Sequence, residues 1–424
     1  MAEPDPPPKT TGQTPWRTST AWFSPFMALC TVGFLGRLSY EMMRTPLTPL
    51  LARHLGTPEQ FIGLIVAAVT ITGIFVKLPA GALSDIFGFR RLMMAGVWVK
   101  VSGPFLYLLA FSWPALLIIR FYHGLATAIY APPASALVVK TYPEERGHRL
   151  GIYNGAENAG VVLGPVLGGA VLALTAYNYH VAALLAGLIG ILALFAMRYI
   201  PLDQCGDAPA PTTKTEGRAQ LFQLFRRTVR GVQEILSDSQ ILLVSLVEAM
   251  LWMGIGSVQA YLPLYALTIQ LSVWQIGIIA GAQGVASVWS RLIMGKRSDR
   301  LVSRTPLIIT GAMLCILMLI TIPYAENFIT LFGLSIIFGL GTGIVTPSTT
   351  ALIGDLVKKG NYGSAMGVFG SLWDIGHASG PIIFGFLLVT LGYRTSWLVM
   401  ALIMAASLVI FLIGTRRKSL MTDR

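Results

Sequence analysis

The sequence predicts an all-α integral membrane protein with twelve transmembrane helices in two pseudo-symmetric six-helix bundles. Three observations predict it. Only 12% of residues are charged and 54% are hydrophobic, against roughly 25% charged in soluble domains, and the mean hydropathy is +0.68. Twelve apolar segments begin near residues 22, 61, 92, 115, 149, 180, 240, 273, 305, 328, 362 and 394, each long enough for the roughly 20 residues of a spanning helix. A turn also recurs: Gly81-Ala82-Leu83-Ser84-Asp85 returns 214 residues later as Gly295-Lys296-Arg297-Ser298-Asp299. Continuous apolar runs argue against a membrane barrel, whose strands alternate.

The repeat holds its register along the chain. The first segment ends in Pro46-Leu47-Thr48-Pro49-Leu50 and the seventh in Leu262-Pro263-Leu264. Ile62-Gly63 opens the second segment as Ile276-Gly277 opens the eighth. Gly124-Leu125 maps to Gly339-Leu340, and Gly164-Pro165 to Gly380-Pro381, with the offset drifting only from 214 to 216. Convergent composition does not hold such a register. The expected organisation is a disordered tail over 1–20, bundles over 21–200 and 240–415, a linker over 201–239 and a basic tail over 416–424. Residues 1–20 are rich in Pro and Thr and lack the apolar core of a cleaved signal. Within the linker, Leu221, Phe222, Phe225, Val229, Val232 and Leu236 recur at helical spacing beside Arg226, Arg227 and Arg230. That pattern predicts an amphipathic helix lying on the membrane surface, with a partner-binding helix as the alternative.

The net charge of +12 raises the question of nucleic acid, and its placement answers it. Of 31 Lys and Arg, 23 fall on one side of the predicted membrane. Only Arg53 and Arg394 lie opposite. This is the positive-inside pattern, which puts both termini and the central loop in the cytoplasm of a cell inner (plasma) membrane. The partners expected are the bilayer and a small-molecule substrate, not nucleic acid, and the chain is expected to function as a monomer. Cys30, Cys205 and Cys315 form no disulfide framework or metal cluster. Neither His-Glu-x-x-His, Gly-x-Ser-x-Gly nor a Walker A loop occurs, so the sequence predicts no enzyme, no cofactor and no ATP-driven step.

Three stretches carry a family resemblance. Gly81 to Arg91 includes Gly81, Asp85, Gly88, Arg90 and Arg91. Arg120-Phe121-Tyr122-His123-Gly124-Leu125-Ala126-Thr127-Ala128 follows the form Arg-x-x-x-Gly-x-x-x-Ala. Gly151, Gly160, Gly164, Pro165, Gly168 and Gly169 form a long gapped glycine pattern in the fifth segment. Together they resemble the major facilitator superfamily over nearly the whole chain, and the glycine pattern resembles that of its 12-helix drug:proton antiporter branch. The resemblance implies a latch at Asp85, with Gly81, Gly88, Arg90 and Arg91 and with Asp299 and Arg300 in the second copy, that holds the cytoplasmic gate shut. The sequence departs from the family at Ile86, where a basic residue is usual, and the second copy lacks the later Gly and Arg-Arg. Topogenic charge alone is the plain alternative for Arg90 and Arg91. For the glycines, the alternative is simple packing between neighbouring helices.

Charged residues inside the spans are Arg37, Glu41, Arg44, Lys77, Lys100, Arg120, Glu157, Glu248, Arg291 and Asp374. Each costs roughly 2.5–3.5 kcal/mol at the bilayer centre, so most must face water or one another. Arg37, Glu41 and Arg44 share one face of the first helix. Glu41 is the first candidate for the proton carrier, since burial favours a protonated carboxylate and a nearby Arg an ionised one. A permanent structural pair is the alternative. By resemblance, Arg120 is a candidate for proton relay or substrate contact, placed to face Glu41, or else a satisfied structural guanidinium. Glu157, Glu248 and Asp374 are secondary acids. His377 lies three residues from Asp374 and titrates near neutrality, against the alternative of a packing histidine. His123 is read as packing, and Lys77 and Arg291 as snorkelling residues, with a role at the inner gate as the alternative. Trp252, Tyr261, Tyr265, Trp289 and Trp373 are candidates for a pocket lining or an interface belt. The expectation is a secondary active transporter using a proton gradient to export small amphipathic organic compounds by alternating access. A nutrient facilitator or symporter is the runner-up, and a non-transporting receptor the third reading.

Overall fold

A computed structural model of the chain describes residues 24–201, 226, 233, 239–298, 303–357 and 362–422. Its helices start within a few residues of the apolar segments. They are α1 (Pro25–Arg44), α2 (Leu47–His54), α3 (Glu59–Phe87), α4 (Phe89–Leu106), α5 (Trp113–Thr141), α6 (Arg146–Leu174), α7 (Tyr179–Met197), α8 (Ser239–Thr268), α9 (Val273–Ser298), α10 (Thr305–Thr321), α11 (Phe328–Leu356) and α12 (Tyr362–Thr422). Short polar caps set the starts. The Ser24 hydroxyl accepts from the Met27 N–H at 3.2 Å, and Asn327 Oδ1 from the Thr330 N–H at 2.9 Å, each satisfying an orphan donor.

Among the described residues, ten helices are long and apolar enough to cross a membrane. The last of them, α12, is two arms joined at Gly392, whose φ of 73° and ψ of 173° are non-helical and open to glycine. Counting both arms gives eleven, and α1, which carries three charges, falls outside them, so length and composition alone stop one short of the expected twelve. The seventh span does not end at Pro263. Helix α8 runs through that proline to Thr268, since a membrane helix tolerates the lost N–H when neighbours surround it. Its counterpart α1 stops at Arg44, where Thr45 turns extended.

Helix α1 packs on α6 and α7, α3 and α4 on α5, and α4 on α7. In the second half, α12 packs on α8, while α9 and α10 pack on α11. The repeat reaches individual contacts: Gly124 lies on the Val69 carbonyl, and Gly339 on the Gln283 carbonyl. The halves meet through α3 on α12 and α6 on α9.

The two ends of the molecule differ. One end, the basic face, carries Arg91, Lys140, Arg146, Arg149, Arg198 and Arg304. At the other end the halves are sealed. A Cβ on Gly63 would run into the Pro381 carbonyl, one on Gly169 would lie 2.8 Å from the Val273 carbonyl, and one on Gly277 2.7 Å from the Pro165 carbonyl. Toward the basic face, a Cβ on Gly147, Gly151 or Gly155 of α6 would meet nothing within 4 Å, and Phe75, Trp289 and Leu292 are exposed. Among the described residues the halves are sealed at the end away from the basic face. Of the linker helix, only Arg226 and Gln233 are described, both helical and exposed; the rest of 202–238 lies outside the described residues.

Candidate functional site

A polar cluster sits where the halves meet, contributed by α1, α3, α8 and α12. Glu41, only 4% exposed, accepts from Arg37 Nη2 at 2.8 Å and from Arg44 Nη1 at 3.4 Å. The shared helix face read from sequence makes both pairs, at i,i+4 and i,i+3. Arg44 then crosses to the second half. Its Nη2 donates to Gln259 Oε1 at 2.8 Å and lies 3.0 Å from His377 Nε2. His377 Nδ1 lies 2.8 Å from Thr70 Oγ1, and its Nε2 3.0 Å from Gln259 Oε1. Largely buried charges need such satisfied partners.

The glycines of α6 place this cluster. Gly160 and Gly164 let the α6 backbone reach α1 at the turn that carries Arg37 and Glu41: a Cβ at 160 would lie 3.0 Å from Arg37 Cβ, and one at 164 2.5 Å from Glu41 Cβ. Gly168 meets the Met42 carbonyl, whereas Gly169 and Pro165 meet α9. One helix thus has a face toward α1 and another across the seal, while Gly151 packs against nothing.

Arg120 is fully buried. Its Nε donates to the Ile65 carbonyl, its Nη2 to the Val66 carbonyl and its Nη1 to the Tyr107 hydroxyl, each at 3.2 Å. It clamps α5 to α3 rather than pairing with Glu41. His123 packs against the rings of Tyr40 and Tyr107. Lys100 is buried with Nζ 3.7 Å from the centre of the Tyr130 ring, a cation–π contact. Glu157 accepts from the Tyr153 hydroxyl at 3.2 Å. Glu248, fully buried, accepts from Trp252 Nε1 at 2.8 Å and Thr349 Oγ1 at 2.7 Å. The Trp252 ring faces both Trp373 and His377.

Two cavities flank the cluster. One of about 90 Å³ lies in the sealed half, with Thr45, Pro165, Gln259 and Gln283 among its walls. The other, about 230 Å³, lies between α3 and α12 toward the basic face and is lined by Gly73, Ile74, Gly370, Ser371, Trp373 and Asp374.

Residues 29–325 and 269–423 match the sequence profile of the Major Facilitator Superfamily. The chain belongs to that superfamily. It is 24% identical to an MFS-type transporter of Methanocaldococcus jannaschii over 88% of this chain and 91% of that one. It is 24% identical to the multi-drug resistance efflux pump PmrA of Streptococcus pneumoniae over 93% and 95%, and 21% identical to the quinolone resistance protein NorA of Staphylococcus aureus over 81% and 84%. Among solved structures it superposes on a bacterial homologue of the human lysosomal transporter Spinster, inward-facing and unoccupied, with TM-score 0.78 and 14% identity over 96% of this chain and 98% of that one. It also superposes on a POT family transporter in complex with 5-aminolevulinic acid, with TM-score 0.76 and 18% identity over 92% and 96%. These two likenesses concern the fold. The expected family and helical fold are borne out, and the chain is a multi-pass membrane transporter.

The family's latch motif falls largely outside the description. The backbone of α3 through Phe87 is helical, but the side chains at Lys77, Gly81, Asp85 and Arg90 lie outside the described residues, as do Asp299 and Arg300 altogether. Gly88 turns the chain between α3 and α4 with φ 83°, and Arg91 is exposed. Arg291 is also exposed. Sequence reasoning missed Thr70 and Gln259, whose only signal was a polar residue at mid-span. It read Tyr261 as a possible pocket wall, but the fully buried Tyr261 belongs to the seal of this facilitator fold. Its hydroxyl accepts from the Gly63 N–H at 2.9 Å and donates to the Glu59 carbonyl at 3.0 Å. It thereby inserts from α8 into the first turn of α3.

Proposed function

We propose that this chain is a proton-coupled exporter of small amphipathic organic compounds. It works by alternating access in a prokaryotic plasma membrane, with the basic face and both termini in the cytoplasm. The observation that carries the reading is Glu41, buried between Arg37 and Arg44 while Arg44 bonds across to Gln259. Movement between the halves changes the partners of Arg44. Parting of the halves frees Arg44 from Gln259 and opens Glu41 to water, which alters the balance of burial and guanidinium charge that sets whether the carboxyl holds a proton. Proton occupancy and conformation are thereby linked. The positive-inside bias supports the orientation. The glycine face of α6 and the efflux pumps among the relatives support the direction.

The test uses the purified chain in proteoliposomes with ethidium, a fluorescent amphipathic cation, and an imposed pH gradient. Transport directed away from the basic face, driven by the gradient and abolished by Glu41→Gln, is the expected outcome. Full retention of coupled flux by Glu41→Gln would move the proton role to Glu157 or Asp374. Flux directed toward the basic face would replace export by uptake.

A further inference from the structure

We propose that the cavity of about 90 Å³ in the sealed half binds an uncharged O–H or N–H group. The group is held between the two halves by backbone carbonyls that Pro165 and Pro263 set free. The site names the polar part of the transported compound, and to that extent rests on the transport reading above.

Pro165 lies inside α6 and Pro263 inside α8. Proline has no N–H, so the carbonyl four residues earlier loses its helical donor. Those carbonyls belong to Val161 and Gln259. Val161, Pro165, Gln259 and Pro263 all line the one cavity. One free acceptor from each half therefore lies at its wall. A buried carbonyl without a donor is unfavourable, and no side chain among the described residues donates to either.

The other polar walls are Thr45, just past α1, and Gln283 of α9. Neither side chain has a hydrogen-bond partner among the described residues. Gln259 gives its Oε1 to Arg44, which leaves its amide N–H groups for another acceptor. No wall residue is charged, and Arg44, behind Gln259, is itself a cation. A metal ion or an organic cation finds no counter-charge there. A neutral donor finds two carbonyls, and the two carboxamides offer bonds in return.

The internal repeat indicates the size of the group. By the 216-residue offset of the Gly-Pro pairs, Val161 corresponds to His377. By the 214-residue offset, Gly284 corresponds to Thr70 and Gln259 to Thr45. At the mate position the His377 ring reaches Thr70 at 2.8 Å and Gln259 at 3.0 Å, so the chain's own ring spans the seam. Here valine and glycine stand in place of imidazole and hydroxyl, and both border the cavity. A planar neutral group of about imidazole size, such as a primary amide, fits where no side chain reaches. About three waters, at roughly 30 Å³ each, fill the same space. Water and solute share this donor chemistry, and the test separates them.

The probe is para-fluorobenzamide, followed by fluorine NMR with the purified full chain in detergent. Its N,N-dimethyl form keeps the ring and loses both N–H groups. The primary amide should bind at least about fivefold more tightly. Pro165→Ala returns a helical donor to the Val161 carbonyl, and Gln283→Leu removes a carboxamide. Each should weaken the primary amide by a similar factor. Val161→His should block the probe by filling the cavity with the chain's own ring. Hydroxyl-radical labelling in oxygen-18 water reports held water as slowly exchanging oxygen at Val161, Leu262 and Pro263. Benzamide binding that these variants weaken assigns the site to a solute. Slow water without benzamide binding, lost in Pro165→Ala, upholds the donor site and assigns it to water. Equal binding of the two amides overturns the proposal. So does benzamide binding, or slow water, that Pro165→Ala leaves unchanged, and so does the absence of both. If Val161→His fails to fold, Pro165→Ala and Gln283→Leu decide. Benzamide binding by a chain that exports no ethidium from vesicles keeps the site and removes the export reading. Ethidium export with neither benzamide binding nor slow water does the reverse.

Discussion

The two halves share a fold and differ in how they hold charge. In the first, Glu41 is matched by two guanidiniums, Arg120 is spent on backbone carbonyls and Lys100 lies on an aromatic ring. In the second, Glu248 is held by neutral donors, an indole N–H and a threonine hydroxyl. Glycine contacts repeat between the halves to within a residue or two; Asp85 recurs as Asp299, but Glu41, Lys100 and Glu248 fall opposite Ile255, Leu314 and Phe34. Duplication thus fixed the packing, and chemistry diverged inside it. The first half presents a charge-matched surface at the seam, while the second presents Gln259 and His377 to receive it.

Six substitutions sharpen that contrast. Glu41→Gln should have the largest effect, about 3–5 kcal/mol lost in unfolding, because it leaves buried guanidinium charge unmatched. Glu248→Gln should lose about 1 kcal/mol, since neutral donors serve an amide oxygen too. Comparable losses in the two variants, measured by thermal unfolding in detergent, would erase the distinction between the halves. Gly164→Val, driven into Glu41 Cβ, should lose about 1–3 kcal/mol, whereas Gly151→Val should stay within about 0.5 kcal/mol. Equal melting temperatures would mean that α6 does not press on α1 there. Tyr261→Phe should come next, at about 1–2 kcal/mol, because the buried Gly63 N–H loses a partner across the seal. Its signature is a longer distance between spin labels on cysteines at Arg53 and Gln270, both exposed at the sealed end on opposite halves, which a loss confined to one half would not produce. Arg149→Ala should matter least, under about 1 kcal/mol, since its partner Glu145 is half exposed and solvent screens the pair.

Much of this was legible in the sequence, because lipid makes the code simple. Twelve apolar runs, a repeated turn and a fixed offset define the bundles before any contact is known. Glu41 with Arg37 and Arg44 stood out because charge in a span is expensive. Thr70 and Gln259 did not, since neutral polar residues carry a weaker penalty and their partners lie hundreds of positions away. Arg120 was misplaced for a related reason: spacing shows that a guanidinium is buried, not that its donors reach carbonyls of α3. Nor does any periodicity announce that Tyr261 enters another helix's hydrogen-bond ladder. Pro263 shows the same limit, since the break expected there is absorbed by the surrounding helices.

Along α6, Gly160 through Gly169 are engaged, while Gly147, Gly151 and Gly155 face open space. The idle glycines give that helix an unused docking strip on its basic half, ready for whatever approaches when the opposite end parts. The alternate conformer therefore needs no new complementary surface, only a trade of one small-residue contact for another along the same rod.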